Sequence, residues 1–458
     1  MLRSAGLLPN PATAPTRPDR SICDEGPVCV EGRCARHAAS AYHGLAVSVA
    51  TDSLSPVLRE LLSVADAEVE IAACMPRSAA ELIPIDNAAG RVLREKIRAD
   101  RDQPAFDRVT MDGIAFAFAD WQQGGFEFEV SGTQAAGRAP LERTRSRQCF
   151  EVMTGAALPR GCDCVVPVEQ IAMHEGRARL RSDVEPTRLQ FVHRRGSDYR
   201  EGACLLKPGS TLHAPEIAVL ASAGRTEVRV ARKPSIAVIA TGDELVDVGA
   251  AIRAHEVRRS NDRALAAALA LHGYSSVVRV HVPDDRHLLR RTLRELLEKH
   301  AVLVLSGGVS MGRFDYVPGV LAHLSVDVRF HKVRQRPGKP MWFGTGRNGQ
   351  AVFALPGNPV SSLVCLYRYV LPALRRSEGR KPAVVEWIDL AEAVEFEPAL
   401  AWFLPVRILD VQGSSKAVPV YTNTSGDFAA LAGTDGFVEL PADRRQFPAG
   451  FSAPFYRW

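Results

Sequence analysis

The sequence predicts a multidomain α/β protein built around a central doubly wound domain with a mixed, mainly parallel sheet. Three observations predict it. At 458 residues the chain exceeds what one ordinary core fills, so three or four domains are expected. Between Pro234 and Arg376, apolar strand-like runs alternate with helix-like segments across short loops, which is the pattern of repeated β-α-β units. Before and after that region, short alternating runs separated by Gly and Pro turns read as small β-domains.

Taken in order, residues 1–50 are rich in Pro, Ala, Arg and Ser and lack apolar periodicity, so a disordered leader is expected. Cys23, Cys29, Cys34 and His37 give it four soft ligands, but their spacings are wider than the close pairs of a structural zinc site. A tail with unpaired thiols is the preferred reading. Residues 51–103 together with 195–233 read as a helical and mixed linking domain, with helical patterns at Ser55 to Ser63 and Asp86 to Arg98. Residues 104–194 read as an inserted β-domain, with strand-like runs at Phe126 to Val130 and Cys164 to Val168.

Residues 234–378 carry the α/β pattern. Ser235 to Ala240 is a buried-strand run, Asn261 suits a helix cap, Gly273 ends that helix, and Ser276 to Val282 is the next strand. After Asp285, itself an N-cap type, Leu288, Leu289, Leu293, Leu296 and Leu297 share one helical face, and Ala301 to Leu305 is a third apolar strand. Residues 379–458 read as a C-terminal β-domain of barrel type.

Composition narrows the class. Hydrophobic residues at 46% and charged residues at 24% suit a globular protein. A net charge of +5 is small for this length and does not suit a general nucleic-acid binder. No run approaches the roughly 20 apolar residues needed to span a bilayer, and the start lacks a secretory pattern. The expectation is a cytoplasmic protein without membrane or nucleic-acid partners. Nine dispersed cysteines, an odd number, do not suggest a secreted disulfide framework.

In an open parallel sheet, ligands bind beyond the carboxyl ends of the strands. Three informative loops follow strands there: Thr241-Gly242-Asp243-Glu244, Ser306-Gly307-Gly308-Val309-Ser310, and Pro356-Gly357-Asn358-Pro359-Val360-Ser361. Glycines let backbone N–H groups approach a phosphate, and a following helix N-terminus favours an anion. One such loop would be structural more often than not; three in succession point to a ligand. Neither glycine run fits a Walker lysine loop or a dinucleotide fingerprint, so ATP hydrolysis and NAD binding lose ground. After the run Val326 to Phe330, the segment Arg334-Gln335-Arg336-Pro337-Gly338-Lys339-Pro340 adds cations suited to a phosphate or an oxyanion. Asp112, Asp198, Glu216, Asp243, Glu244, Asp285 and Asp315 are the acidic candidates, since carboxylates beside a phosphate site commonly hold Mg²⁺.

Together these residues resemble the molybdopterin molybdenumtransferases, the family of bacterial MoeA and the E-domain of gephyrin. The resemblance rests on Ala89 to Leu93, Pro104 to Gly113, Met153 to Ala156, Thr241 to Leu245, Ser306 to Gly312, Pro337 to Pro340 and Leu355 to Ser361, and runs from about Ser55 to the C-terminus. It implies a central domain of molybdopterin-binding type and a homodimer in which the inserted domain of one subunit faces the α/β domain of the other. The implied reaction takes molybdate and molybdopterin adenylate, with Mg²⁺ or another divalent cation, to molybdenum cofactor and AMP. Asp112, Thr154, Asp198, Glu216, Asp243, Asp285 and Lys339 then carry the catalytic site, with Asp243, Glu244 and Asp285 as metal ligands. Ser306, Gly307, Gly308, Ser310, Asp315, Arg336, Pro337, Gly338, Pro356, Gly357, Asn358, Pro359 and Ser361 bind the pterin substrate. Molybdopterin adenylyltransferase and molybdoenzymes are the implied transient partners.

The chain departs from the family pattern where Arg259 precedes Ser260-Asn261 in place of an acid, where Arg336 replaces Lys, and at Arg108-Val109-Thr110. Two other readings share the fold: a scaffold protein using its surface for a peptide, and an adenylyltransferase, which lacks the additional domains.

Overall fold

The computed structural model describes residues 61–309, 315–411 and 413–458. The cysteine-bearing leader, most of the Ser55 to Ser63 segment, and Ser310, Met311 and Gly312 lie outside them.

The central domain is a six-stranded sheet of β1 (Ile236–Thr241), β2 (Val277–Val282), β3 (Val302–Ser306), β4 (Asp327–His331), β5 (Trp342–Thr345) and β6 (Ala351–Leu355), in the order β2-β1-β3-β6-β5-β4. The first four in that order are mutually parallel, whereas β5 runs antiparallel to both of its neighbours. The three inner parallel strands, β1, β3 and β6, are buried on both faces, which explains their continuous apolar runs, whereas the edge strand β2 is partly exposed. Side chains alternate along each strand. Ile236, Val238, Val302 and Val304 join one core with helix Asn261–Leu271 and the helical run from Pro359, while Ala237, Ile239, Leu303 and Leu305 join another with helices Arg286–Lys299 and Val317–His323. Helices thus cover both faces. Asp285 caps its helix as expected, accepting from the Leu288 amide at 2.7 Å.

Upstream, strand Ala80–Pro84 pairs antiparallel with Glu227–Ala231, so the chain leaves this small sheet and returns to it. Between them lies a separate six-stranded sheet containing Gly113–Phe116, Glu127–Gln134, Gln148–Val152 and Cys164–Pro167. Downstream, strands Ala401–Val411, Ser414–Pro419, Glu386–Leu390, Ser452–Arg457 and Gly436–Leu440 pair in turn, and the last returns to the first, closing a barrel. Its interior is apolar, with Leu404, Val406, Val438, Leu440 and Phe455 among the buried residues.

The first described helix is Val64–Cys74, capped by Ser63; the expected helix at Ser55 to Ser63 lies mostly outside the described residues. One helical expectation is corrected. Asp86 to Arg98 forms no α-helix: it contains only the 3₁₀ turn Ile85–Asn87 and the short strand Ile97–Arg98. Leu93 and Ile97 are buried against Leu212, Leu220, Val228 and Val230, so tertiary packing rather than a helical face explains their spacing. Gly90, at φ +74°, turns the chain within this segment. The described cysteines, Cys74, Cys149, Cys162, Cys164, Cys204 and Cys365, are all free thiols.

Candidate active site

The register of the sheet places Thr241 beside Val282, Ala240 beside Ser306, and Ser306 beside Leu355. The three glycine-bearing loops therefore leave the sheet at one edge, around the point where the strand order reverses between β1 and β3. They also touch. Asn261, in the first turn of its helix, donates its Nδ2 to Ser306 Oγ at 2.9 Å and to the Gly357 carbonyl at 2.6 Å. Asn261 does not act as the predicted cap; that position is Ser260. Gly307 has φ +102°, and a Cβ there would lie 2.8 Å from the Thr241 carbonyl. Only glycine permits this approach without displacing backbone.

The acids gather beside this junction. Asp243 Oδ1 accepts the Asp284 amide at 2.9 Å. Burial, then the charges of Asp243, Glu244 and Asp315, pushes the Asp284 carboxyl above its ordinary range. Mutual repulsion among these carboxylates favours a cation. Among the described residues, no three His, Cys, Asp or Glu side chains form a complete metal-binding group. A divalent ion here would complete its shell with substrate phosphate and water, as Mg²⁺ commonly does.

The basic loop follows β4, which is parallel to β6, and so emerges at the same edge of the sheet. Arg334, Arg336 and Lys339 are exposed, and none has an ion-pair partner among the described residues. His331, at the end of β4, lies 3.0 Å through Nε2 from the Val309 carbonyl, tying this side to the loop after β3. The first turn of helix Pro359–Cys365 is partly occupied: Val360 N–H donates to the Ser425 carbonyl at 3.0 Å, and Asn358 Nδ2 donates to Ser425 Oγ at 2.6 Å. Ser361 is buried.

The inserted sheet holds a second group. Thr154 donates its amide and hydroxyl to one oxygen of Asp112. Asp198 Oδ1 lies 2.8 Å from His193 Nε2, and His193 Nδ1 lies 3.1 Å from Arg108. The hydrogen bonds of Asp112, Thr154 and Asp198 remain within this part of the chain and do not reach the α/β loops. Glu216 lies in helix Ala214–Ser222; its carboxylate accepts the His213 amide at 2.9 Å and completes a capping box.

Comparison with known proteins assigns the chain to a family. Residues 62–224 match "MoeA N-terminal region (domain I and II)", residues 237–376 match "Probable molybdopterin binding domain", and residues 388–458 match "MoeA C-terminal region (domain IV)". A protein of Synechocystis named molybdopterin molybdenumtransferase is 40% identical over 400 residues, spanning 87% of this chain and 100% of that protein. The chain belongs to the MoeA family. A Staphylococcus epidermidis protein of the same name is 31% identical, over 80% of this chain and 88% of its own length. The crystal structure of a molybdopterin biosynthesis MoeA protein from Pyrococcus horikoshii superposes with a TM-score of 0.73 at 28% identity, covering 87% of this chain and 99% of that one.

Within this MoeA-family chain, the departure at Arg259 is neutralised locally. Its guanidinium lies 3.2 Å from Asp247 and 4.0 Å from the buried Asp262, so its charge is directed into an ion network shared with Arg263 and Arg279. Motif reading passed over Asp284, Ser425 and Gln335. Asp284 adjoins Asp285 and was overshadowed by its capping pattern. Ser425 is far from the loops in sequence. Gln335 lies between two arginines and carries no charge to draw attention.

Proposed function

We propose that the chain inserts molybdenum from molybdate into adenylylated molybdopterin, releasing molybdenum cofactor and AMP, and acts as a cytoplasmic homodimer with Mg²⁺. The observation that carries this reading is the Asn261 bridge between the Ser306 and Gly357 loops. It holds a glycine-lined, anion-suited edge between an acidic cluster and an unpaired basic loop. The relatives bear the name of this activity, and the N- and C-terminal family regions flanking the α/β domain disfavour a stand-alone adenylyltransferase.

In this reading, amides around Gly307 and Gly308 receive the substrate phosphates, and Lys339 and Arg336 receive the molybdate oxygens. Asp243, Glu244, Asp284 and Asp315 would hold the divalent cation, which supplies charge neutralisation at phosphorus when bound. Asp285 supports the same turn as a helix cap. Water attacks the adenylate phosphorus, the bond to the pterin phosphate oxygen breaks, and AMP departs with the water oxygen, leaving the pterin phosphate; on molybdenum transfer one molybdate oxygen leaves as water with the two dithiolene thiol protons. The substrate's dithiolene sulfurs take the molybdenum, so no protein thiol is required. Asp112 and Thr154 from the inserted domain, and Asp198 from the segment directly after it, act from the partner subunit in the homodimer. Fixed charges and amides, rather than covalent chemistry by the chain, carry the rate enhancement.

The test is to incubate the purified protein with molybdopterin adenylate, Mg²⁺ and molybdate and to measure AMP and active cofactor. Production of both is expected, with Asp243→Asn lowering turnover by about a hundredfold or more while leaving the melting temperature nearly unchanged. Tight adenylate binding by the wild type without either product would overturn the enzyme reading.

A further inference from the structure

The basic loop rests on a buried polar contact that the reaction itself does not explain. Gln335 lies between Arg334 and Arg336, yet its side chain is fully buried while both arginines are exposed. Its Nε2 donates to the Pro337 carbonyl at 3.2 Å and lies 3.5 Å from Cys365 Sγ. Its Oε1 accepts the hydroxyl of Tyr369, which is also buried. Gly338 closes over this pair: a Cβ at that position would lie 2.5 Å from Gln335 Nε2 and 2.7 Å from Cys365 Sγ. The turn carrying Arg336 and Lys339 is thus seated directly on the carboxamide.

Tyr369 reaches Gln335 from an irregular turn. Helix Pro359–Cys365 passes into the π-helical turn Leu366–Val370 and then into helix Leu371–Ser377. A π-turn adds a residue to the repeat and so shifts the phase of the side chains that follow it. The same helical run begins at Asn358 and Pro359, directly after the Gly357 carbonyl held by Asn261. One continuous element therefore starts at the phosphate-suited loop and props the basic loop from below. An unsatisfied buried carboxamide is costly, so removing one partner favours repacking of the loop over leaving Gln335 in place.

We propose that Gln335 and Tyr369 are a positioning pair that sets the reach of Arg336 and Lys339, and thereby the affinity for the tetrahedral oxyanion substrate. The proposal rests on the reading that this loop receives molybdate. Neither residue touches the reacting atoms; both act through the loop.

The experiment follows cofactor formation against molybdate concentration for the wild type, Tyr369→Phe, Gln335→Leu, the double variant and Lys339→Ala, with thermal melting of each. Tyr369→Phe and Gln335→Leu are expected to raise the molybdate KM about tenfold, corresponding to loss of one net polar contact. The expected kcat stays within about twofold and the adenylate KM stays unchanged, since the contact orients only the basic loop. The double variant should match the worse single variant, because both remove one contact. Lower melting temperatures with a wild-type molybdate KM in both single variants would overturn the positioning role, as would additive effects in the double variant. If Lys339→Ala also leaves the molybdate KM unchanged, the oxyanion reading of the loop itself fails; a raised KM in Lys339→Ala alone defeats only the Gln335–Tyr369 proposal.

Discussion

Thr154 places two donors on a single oxygen of Asp112, its backbone amide at 2.6 Å and its hydroxyl at 2.7 Å. The side-chain bond, and then the amide bond, hold the Asp112 carboxyl below the ordinary carboxylate range. A depressed folded-state value means that the interaction is present above the ordinary range and is lost as pH falls through the lowered value. Thr154→Val removes the larger cause and keeps the amide, so the Asp112 titration moves upward. The acidic limb of kcat/KM against pH is therefore expected at higher pH in Thr154→Val than in the wild type. An unmoved limb would separate Asp112 from the titration that controls activity.

Asn261 joins Ser306 and Gly357 through one amide nitrogen. Asn261→Asp replaces that donor with an acceptor facing the Gly357 carbonyl, at a cost of about 1–3 kcal/mol. The variant should bind molybdopterin adenylate at least about tenfold more weakly by calorimetry, in line with that cost. Wild-type affinity in a folded Asn261→Asp protein would show that the two loops need no common tie.

Gly338 combines φ +95° with close approach to Gln335 and Cys365. Gly338→Ala adds a Cβ in a strained backbone region and against buried atoms, for an expected loss of about 1–3 kcal/mol. Urea unfolding would read this as a lower midpoint with a similar slope. A midpoint equal to that of the wild type would mean that the loop rises freely from its seat.

Arg368 is buried and meets Glu439 at 2.8 Å and Glu68 at 2.9 Å, joining the first described helix, the π-turn and the C-terminal barrel. Burial alone would lower its pKa, but the neighbouring Glu439, then the Tyr456 and Tyr369 hydroxyl groups and Glu68, leave its guanidinium with a raised pKa. Arg368→Met leaves Glu439 without its cation and should destabilise the fold by about 3–5 kcal/mol. Denaturant unfolding of this variant, compared with Glu68→Gln, should show the larger loss for Arg368→Met, because the Glu68 side chain is 55% exposed. Equal small losses would place the ion pairs among weak surface contacts.

The α/β domain was legible because its inner parallel strands are buried on both faces and therefore keep continuous apolar runs. Asp285 was legible as a cap because its helix shows the leucine face directly after it. The helical pattern at Asp86 to Arg98 misled because Leu93 and Ile97 enter one shared core from a turning, partly extended segment, not along one helical stripe. Of the acidic candidates, Asp243, Glu244 and Asp315 share the environment of Asp284, while the Glu216 carboxylate is engaged in a helix capping box. A carboxylate's sequence neighbours do not reveal which oxygen it spends on a backbone amide.

By itself, the sequence determined the alternation of strands and helices, the glycine loops after the strands, and the ordered motifs of the MoeA family. Those properties are local or repeat in fixed order along the chain. Tertiary structure decided that Asn261 ties two loops instead of capping its helix, that Ser425 occupies the start of a distant helix, that Arg259 is spent on Asp247 and Asp262, and that Gln335 lies beneath a basic loop on Tyr369. Each of these depends on strand register or helix phase, which brings residues far apart in sequence within hydrogen-bond distance and is set only when the cores pack.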